Sequence, residues 1–401
     1  MATACPDCGA LLSFPPLPRH STAVCLRCRT PIESTTGRSI NAAFACSIAT
    51  LLLLLPVYTL PLLKAELLGQ SSERSLVEGV AQLWHHDWIA LAGLSAVFVI
   101  VLPAVRMGLL AIVLGALRLG ARPHWLGAAF RWAVRLSPWS MLDVFMLAVA
   151  VGYFYLTEIE HLRVRIEIGG LLLLAAGLLT MMAGAALDEH TVWRAIRAEP
   201  GAVPRDQATG CATCGLIQPR SHGDGRCPRC GARNRPGRRN TAASAAALVT
   251  ASFILLFPAN ILPMNASDLL GIHAAYTNFG YVRQLWHLGL WPLGMITFWT
   301  RILTPAFMIA AVAWCVLSVE RRSLTRRVLK TQLLRLVTET GRWSETGPLS
   351  IVFFAPLIDF GRLGREDAGW GASAFIVMTL LLIAAAVTFD SRRLWEPREE
   401  L

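Results

Sequence analysis

Charge is scarce in this 401-residue sequence: Asp, Glu, Lys and Arg together make up 16%, where a soluble globular chain carries about a quarter. Lysine is nearly absent, occurring only at Lys64 and Lys330, so the net charge of +11 rests on arginine. No glycine-rich loop ends in Lys-Ser or Lys-Thr, which excludes a P-loop ATPase. No Ser-His-acid order sits at a recognisable nucleophile elbow, so hydrolysis has no visible machinery and no enzymatic activity is expected. The polar, cysteine-bearing N-terminus does not read as a cleavable signal peptide. Hydrophobic residues, by contrast, reach 54%. The arginines lie in short loops beside apolar runs, so they read as topology and headgroup contacts rather than as a nucleic-acid surface.

Eight of the ten cysteines form two sets of paired CxxC knuckles: Cys5, Cys8, Cys25 and Cys28, then Cys211, Cys214, Cys227 and Cys230. This spacing is that of a tetrathiolate zinc ribbon, and each set implies one structural zinc with no open coordination position. Iron in a rubredoxin-like centre takes the same ligands. Glycine follows three of the knuckles (Gly9, Gly215, Gly231), while Arg29 breaks the pattern. Cys46 and Cys315 lie inside apolar runs and read as packing residues.

Spanning a bilayer takes about 20 apolar residues. Eight runs are expected to span, at about 41–63, 88–117, 139–157, 168–187, 241–263, 290–318, 343–360 and 370–389. The seventh is the shortest in apolar content, carrying Glu345, Pro348 and Pro356. Arginine is concentrated after runs two and six and before run five, including Arg205 and the stretch Arg233 to Arg239. The positive-inside rule then places these loops, both ribbons and both termini in the cytoplasm, where thiols stay reduced and serve as metal ligands.

The halves repeat. An offset of 202 carries Cys25 and Cys28 to Cys227 and Cys230, Pro56 and Pro61 to Pro258 and Pro263, and Gln82-Leu83-Trp84-His85 to Gln284-Leu285-Trp286-His287. The expected fold is an all-α polytopic membrane protein of two parallel repeats of four transmembrane helices, each preceded by a small cytoplasmic zinc ribbon. The expected divisions are 1–39 (first ribbon), 40–190 (first repeat), 191–240 (linker and second ribbon) and 241–401 (second repeat and tail).

With the two ribbons, Phe257-Pro258-Ala259-Asn260-Ile261-Leu262-Pro263 and Trp139-Ser140-Met141-Leu142-Asp143-Val144-Phe145, the chain resembles the paraquat-inducible protein A family along essentially its whole length. The resemblance implies an inner-membrane protein of Gram-negative bacteria that hands phospholipid to, or takes it from, a periplasmic MCE-domain tunnel partner. Two departures stand out. The first repeat has Leu55-Pro56-Val57-Tyr58-Thr59-Leu60-Pro61 without the asparagine, and the second has Trp343-Ser344-Glu345-Thr346-Gly347-Pro348 in place of the tryptophan-serine-methionine-leucine-aspartate pattern.

Intramembrane ionisable residues mark function. Asp143 is the candidate proton carrier, alternatively a helix-start acid beside a Ser140 cap. Arg106 and Arg301 are its candidate partners. Asn260 and Asn265 with the pairs Pro56/Pro61 and Pro258/Pro263 could rim a lipid portal, or merely kink the helix exits. Ser140, Thr180, Thr297, Thr300, Thr304, Ser344 and Ser350 could extend a polar path, or merely satisfy local backbone. Trp84, His85, Trp286 and His287 are interfacial anchors or contacts for the periplasmic partner. His85-His86-Asp87 is a weak metal motif. Residues 323–337 read as a basic amphipathic helix lying on an anionic leaflet. A membrane-bound redox or quinone-linked protein, prompted by the thiolates, and a scaffold that only assembles the partner are the competing functional readings.

Overall fold

The computed structural model describes residues 2–15, 18, 21–34, 39–86, 88–159, 162–197, 208–219, 225–233, 241–269, 272–321, 323, 325–360 and 364–395. Arg205, most of the Arg233–Arg239 stretch and Asp87 lie outside them.

Four short strands, β1 (Ala2–Ala4), β2 (Leu11–Ser13), β3 (Thr22–Val24) and β4 (Pro31–Ser34), pair as two hairpins that carry the first knuckles. α1 (Ile40–Thr59) then leaves the ribbon, started by Ser39, whose hydroxyl accepts from the Ala42 amide at 3.4 Å. Beyond it come β5 (Leu63–Leu67), β6 (Gln70–Arg74) and α2 (Leu76–His85). The β5–β6 turn holds Leu68 at φ 48° and Gly69 at φ 89°, the left-handed pair a tight two-residue hairpin demands. α2 starts with a reciprocal capping box: Glu78 N–H donates to Ser75 Oγ at 3.3 Å and Ser75 N–H to Glu78 Oε2 at 2.9 Å.

The chain returns through α3 (Ile89–Ser95), a π turn over Ala96–Val101 and α4 (Leu102–Arg118), forming one helix of 30 residues. α5 (Leu126–Arg135), a 3-10 turn at Ser137–Trp139 and α6 (Leu142–Leu156) lead back out to β7 (Leu162–Ile166). α7 (Ile168–Ala186) and α8 (Glu189–Ile196) finish the first repeat. β8 (Ala208–Gly210) and β9 (Ile217–Pro219) belong to the second ribbon. The second repeat reads α9 (Thr241–Ile261), β10 (Asn265–Leu269), β11 (Ile272–Tyr276), α10 (Asn278–His287), α11 (Trp291–Phe298), a π turn over Trp299–Leu303 and α12 (Thr304–Glu320). It continues with α13 (Arg327–Thr340), a 3-10 turn at Gly341–Glu345, α14 (Thr346–Leu357), β12 (Gly364–Ala368) and α15 (Trp370–Thr388), and ends in a 3-10 turn at Ser391–Trp395. Shifting the first repeat by 202 positions lands β5, β6 and β7 on β10, β11 and β12, and α2 on α10. Even the π turns coincide to within about a helical turn.

Three expectations change. The chain is mostly helical but not all-α. The polar loops beyond α1 and α9 fold into two three-stranded antiparallel sheets, ordered β6-β5-β7 and β11-β10-β12. Each ties the exit of one long helix to the entry of another. Among the described residues, seven helices, not eight, are long and apolar enough to cross a membrane. α14 has 12 residues, about 18 Å of helix against a hydrocarbon core of roughly 30 Å. It tolerates this because it lies inside the protein, packed on α6, α2 and α3, where neighbouring side chains rather than lipid surround its ends. Finally, α13 does not lie free on a leaflet. It docks on α12 and α15 and buries Lys330, Thr331, Leu334 and Val337, with Lys330 Nζ 5.6 Å from the Trp314 ring centroid.

α1 packs along α7, and α9 along α15. The outer faces of α1 and α9 present apolar side chains such as Leu52 and Leu55 (each 71% exposed) and Ile261 (69%), a patch that water would not tolerate and lipid would. The ribbons lie at the starts of α1 and α9 and the sheets at their far ends, so the molecule has a ribbon side and a sheet side.

Candidate metal centres and buried polar sites

All four knuckles share one backbone device. The first cysteine N–H donates to a carbonyl five residues on, and the amide four residues on donates back: Cys5 to Ala10 at 2.9 Å and Gly9 to Cys5 at 3.1 Å, with the same pattern at Cys25, Cys211 and Cys227. The residue closing each turn has φ between 62° and 70°. Glycine adopts this freely at three of them. Arg29, the exception in sequence, takes the same left-handed conformation at φ 62°.

The device gathers four buried thiols in each ribbon, with all sulfurs within 4.8 Å of one another. Cys5 and Cys28 Sγ are 3.4 Å apart, Cys8 and Cys25 3.6 Å, Cys211 and Cys230 3.7 Å, and Cys214 and Cys227 3.6 Å. A tetrahedron with metal–sulfur bonds of 2.3 Å has edges of about 3.8 Å, so the donor sets fit a metal ion. A disulfide would bring sulfurs to about 2.05 Å, and all ten cysteines are free. Burial, with the neighbouring Cys5 thiol adding to it, pushes the Cys28 thiol up to about 11. A bound cation would supply the charge that keeps such thiols deprotonated.

The ribbons touch each other. Ala4 N–H donates to Gly215 O at 3.0 Å, and a Cβ on Gly210 would fall 2.0 Å from Ala4 Cβ. Arg392 then clamps both: Nε donates to Pro6 O at 3.1 Å and Nη1 to Gly210 O at 3.0 Å, while Nη2 reaches Cys5 O and Cys211 O at 3.4 and 3.3 Å. The second knuckles cross over. Arg27 of the first ribbon donates to Trp395 O at 3.2 Å and stacks 5.0 Å from that ring, in the second repeat. The second ribbon rests on the first repeat, where Arg131 Nη1 donates to Cys230 O at 2.7 Å. A Cβ on Gly127 would fall 1.8 Å from Arg229 O.

The intramembrane candidates divide into separate places. Asp143 is buried at the start of α6, 1% exposed, its Oδ1 accepting from the Val144 amide at 3.1 Å. Ser140 Oγ nearby is buried without a hydrogen-bond partner among the described residues, as is Ser344 Oγ in the second repeat. The second repeat also supplies an acid that the motif comparison passed over. Glu345, 3% exposed, accepts from Thr379 Oγ1 at the start of α14. The register, 202 positions from Asp143, was the available signal. Arg106 is buried on α4. Arg301 lies in the second π turn, 4.6 Å from the Tyr281 ring centroid, and donates to Ser350 Oγ at 3.3 Å.

Pro56 and Pro258 lie inside α1 and α9. Pro61 and Pro263 follow the helix ends and press against the glycine-rich starts of α7 and α15, where a Cβ on Gly169 would meet Pro61 O at 2.5 Å and one on Gly369 would meet Pro263 O at 2.1 Å. Asn260 donates to Leu256 O at 2.9 Å and accepts from Asn278 at 3.4 Å. Asn265 donates to Glu366 Oε1 at 2.6 Å, in the second sheet. Trp84 (55% exposed) and Trp286 (53%) stand on the sheet-side surface with His85 and His287, anchored by the buried Leu83 and Leu285. Gln82 crosses between repeats to donate to Asp359 Oδ2 at 2.7 Å.

The sequence profile described as "Paraquat-inducible protein A" matches residues 40–197 and again 242–399. The chain belongs to the paraquat-inducible protein A family. The double match falls on the two structural repeats. The chain is 26% identical to "Intermembrane transport protein PqiA" of Escherichia coli K12, over 99% of this chain and 96% of that protein. It is 28% identical to "Lipophilic envelope-spanning tunnel protein A" of the same strain (98% and 91%) and 24% identical to a "Probable intermembrane transport protein" of Haemophilus influenzae (98% and 95%). No solved structure matches.

Proposed function

We propose that this protein is the inner-membrane subunit of a phospholipid trafficking system, loading lipid into or unloading it from an MCE-domain tunnel partner on the periplasmic side. The observation that carries this reading is a pair of buried acids, Asp143 and Glu345, near the starts of the two short central helices of a chain whose full length matches proteins named for intermembrane transport. Buried acids in apolar spans are expensive unless they serve a path. Protonation of Asp143, with Arg106 as a candidate partner, would be coupled to lipid movement. The protein carries lipid and converts nothing.

The reading divides the chain at 1–39, 40–190, 191–240 and 241–401. It takes each repeat as four membrane helices, the short α14 included, behind one ribbon. Arginine on the ribbon side supports a cytoplasmic location for both ribbons and both termini. The sheets, with Trp84, His85, Trp286 and His287, then face the periplasmic partner. The near-tetrahedral thiolate sets support one structural zinc per ribbon, with Cys5, Cys8, Cys25 and Cys28 in one and Cys211, Cys214, Cys227 and Cys230 in the other. The metal would supply fold and no chemistry, since four thiolates leave no open position.

The test is mass spectrometry of lipid copurifying with the full chain in mild detergent, with metal analysis of the same sample. Enriched phospholipid and about two zincs per chain, with transport lost in Asp143→Asn, is the expected result. Zinc without lipid would move the reading to a scaffold, and coloured, redox-active protein to an iron centre. Full transport by a normally expressed Asp143→Asn would end the proton-coupled version.

A further inference from the structure

Arg301 and Glu366 are opposite charges that face one cavity without pairing. The cavity is open to solvent and lies where α6, α14, the second π turn and the second sheet meet. Tyr155, Tyr281, Asn265 and Ser350 complete its polar wall. Arg301 is 5% exposed. Its partners are the Ser350 hydroxyl and the Tyr281 ring, and no carboxylate pairs with it among the described residues. Glu366, half-buried on β12, accepts from Asn265 and pairs with no cation among them.

A desolvated charge without a counterion is costly, and two left apart in one cavity are costly twice. The first repeat fills the same positions with apolar side chains. Asn265, Arg301 and Glu366 correspond at the 202 offset to Leu63, Val99 and Val164, all buried apolar side chains. The polar cavity is therefore not a requirement of the fold.

We propose that this cavity binds a zwitterionic aminophosphate headgroup, that of a phosphatidylethanolamine-class lipid. Arg301 takes the phosphate, as a guanidinium fork does. Glu366 and the face of Tyr155, whose ring centroid lies 5.0 Å from that of Tyr281, take the ammonium. The depth suits a headgroup. Arg301 is the eleventh residue of the helix Trp291–Glu320, whose length of about 45 Å exceeds the hydrocarbon core by about 15 Å. Arg301 lies about 15 Å from the sheet-side end of that helix, so protrusion on that side carries it to the edge of the hydrocarbon core. The inference rests on the reading that the chain handles phospholipid, and names the lipid class and the site.

The experiment is native mass spectrometry of the full-length protein in detergent, challenged with equimolar phosphatidylethanolamine and phosphatidylglycerol, with glycerophosphoethanolamine as the soluble competitor. Phosphatidylethanolamine should be retained about tenfold over phosphatidylglycerol, the scale of one charge-assisted contact. Glu366→Gln, which preserves shape, should bring the ratio near one without lowering total lipid. Arg301→Gln should lower both lipids, and Arg301→Lys should restore part of the binding. Equal retention by the unaltered protein, or an unchanged ratio in Glu366→Gln, overturns the proposal while leaving the transport reading intact. Displacement by glycerophosphoethanolamine at the lipid's own concentration overturns the lipid as occupant. Absence of any bound phospholipid sinks the transport reading itself.

Discussion

The two repeats share a backbone plan down to the position of a π turn, yet they bury different chemistry. On the sheet side, the first repeat closes its core with Leu63, Val99 and Val164, whereas the second places Asn265, Arg301 and Glu366 there. At the centre, α6 is 15 residues long and α14 only 12, and they meet at a matched pair of positions: Gly152 on one faces Phe354 on the other, 202 residues later. On the ribbon side, Arg392 clamps both ribbons, while its counterpart in the first repeat is His190. Duplication supplied the frame, and the asymmetry lies where one half holds charge and the other fills space.

The largest effect should come from the ribbons. Replacing Cys28 or Cys230 by serine leaves three thiolates, and because structural zinc binding supplies about 10 kcal/mol of folding energy, the affected ribbon should unfold with loss of one metal per chain. The crossover predicts where damage spreads. Limited proteolysis should open the Trp395 end of the second repeat in Cys28→Ser, but α5 of the first in Cys230→Ser. Cleavage confined to the repeat adjacent in sequence would break that view.

Gly152→Ala comes next. Its Cβ would lie 1.9 Å from the Phe354 ring, and overpacking a tight crossing costs about 1–3 kcal/mol. A thermal melt in detergent should fall accordingly, and Phe354→Leu should recover part of the loss. Arg301→Met should act in the opposite direction. Removing an unpaired buried cation should stabilise the lipid-free protein by about 1–2 kcal/mol, raising the melt even as headgroup binding is lost. A lower melt would mean that Arg301 is structural. Arg392→Ala should cost about 1–2 kcal/mol, the scale of a few charge-assisted hydrogen bonds partly open to water, and should increase hydrogen exchange at Cys5 and Cys211 together. Smallest is Arg29→Gly, which should relieve about 1 kcal/mol of left-handed strain and bring its knuckle into line with the other three, read as slower zinc loss to a chelator.

Much of this was legible in the sequence for physical reasons. Cysteine spacing defines a tetrathiolate site by itself, and apolar runs of 19 residues or more, such as those around α7 and α15, declare long helices. The sheets were not legible because strands such as Gln70-Ser71-Ser72-Glu73-Arg74 are polar and only five residues long, and the third strand of each sheet pairs with a strand distant in sequence, as Leu63 does with Ile166 and Asn265 with Ala368. The short α14 read as a span because burial within protein and burial in lipid select the same apolar residues. The docking of α13 was hidden because Lys330 looks like a surface cation until the Trp314 ring is seen against it. Asp143 and Arg301 were recognisable as ionisable residues in apolar runs. Glu366 was not, since it sits in a loop of balanced charge and gains meaning only when β12 pairs with β10.

The clamp formed by Arg392 has a consequence for biogenesis. Its guanidinium meets Cys5 O and Cys211 O, 387 and 181 positions earlier in the chain, so the junction forms only once both repeats have been made. The first ribbon must wait for a contact that the second repeat supplies. The ribbon side of the molecule thus closes as a ring, and its closure reports that the second repeat is in place.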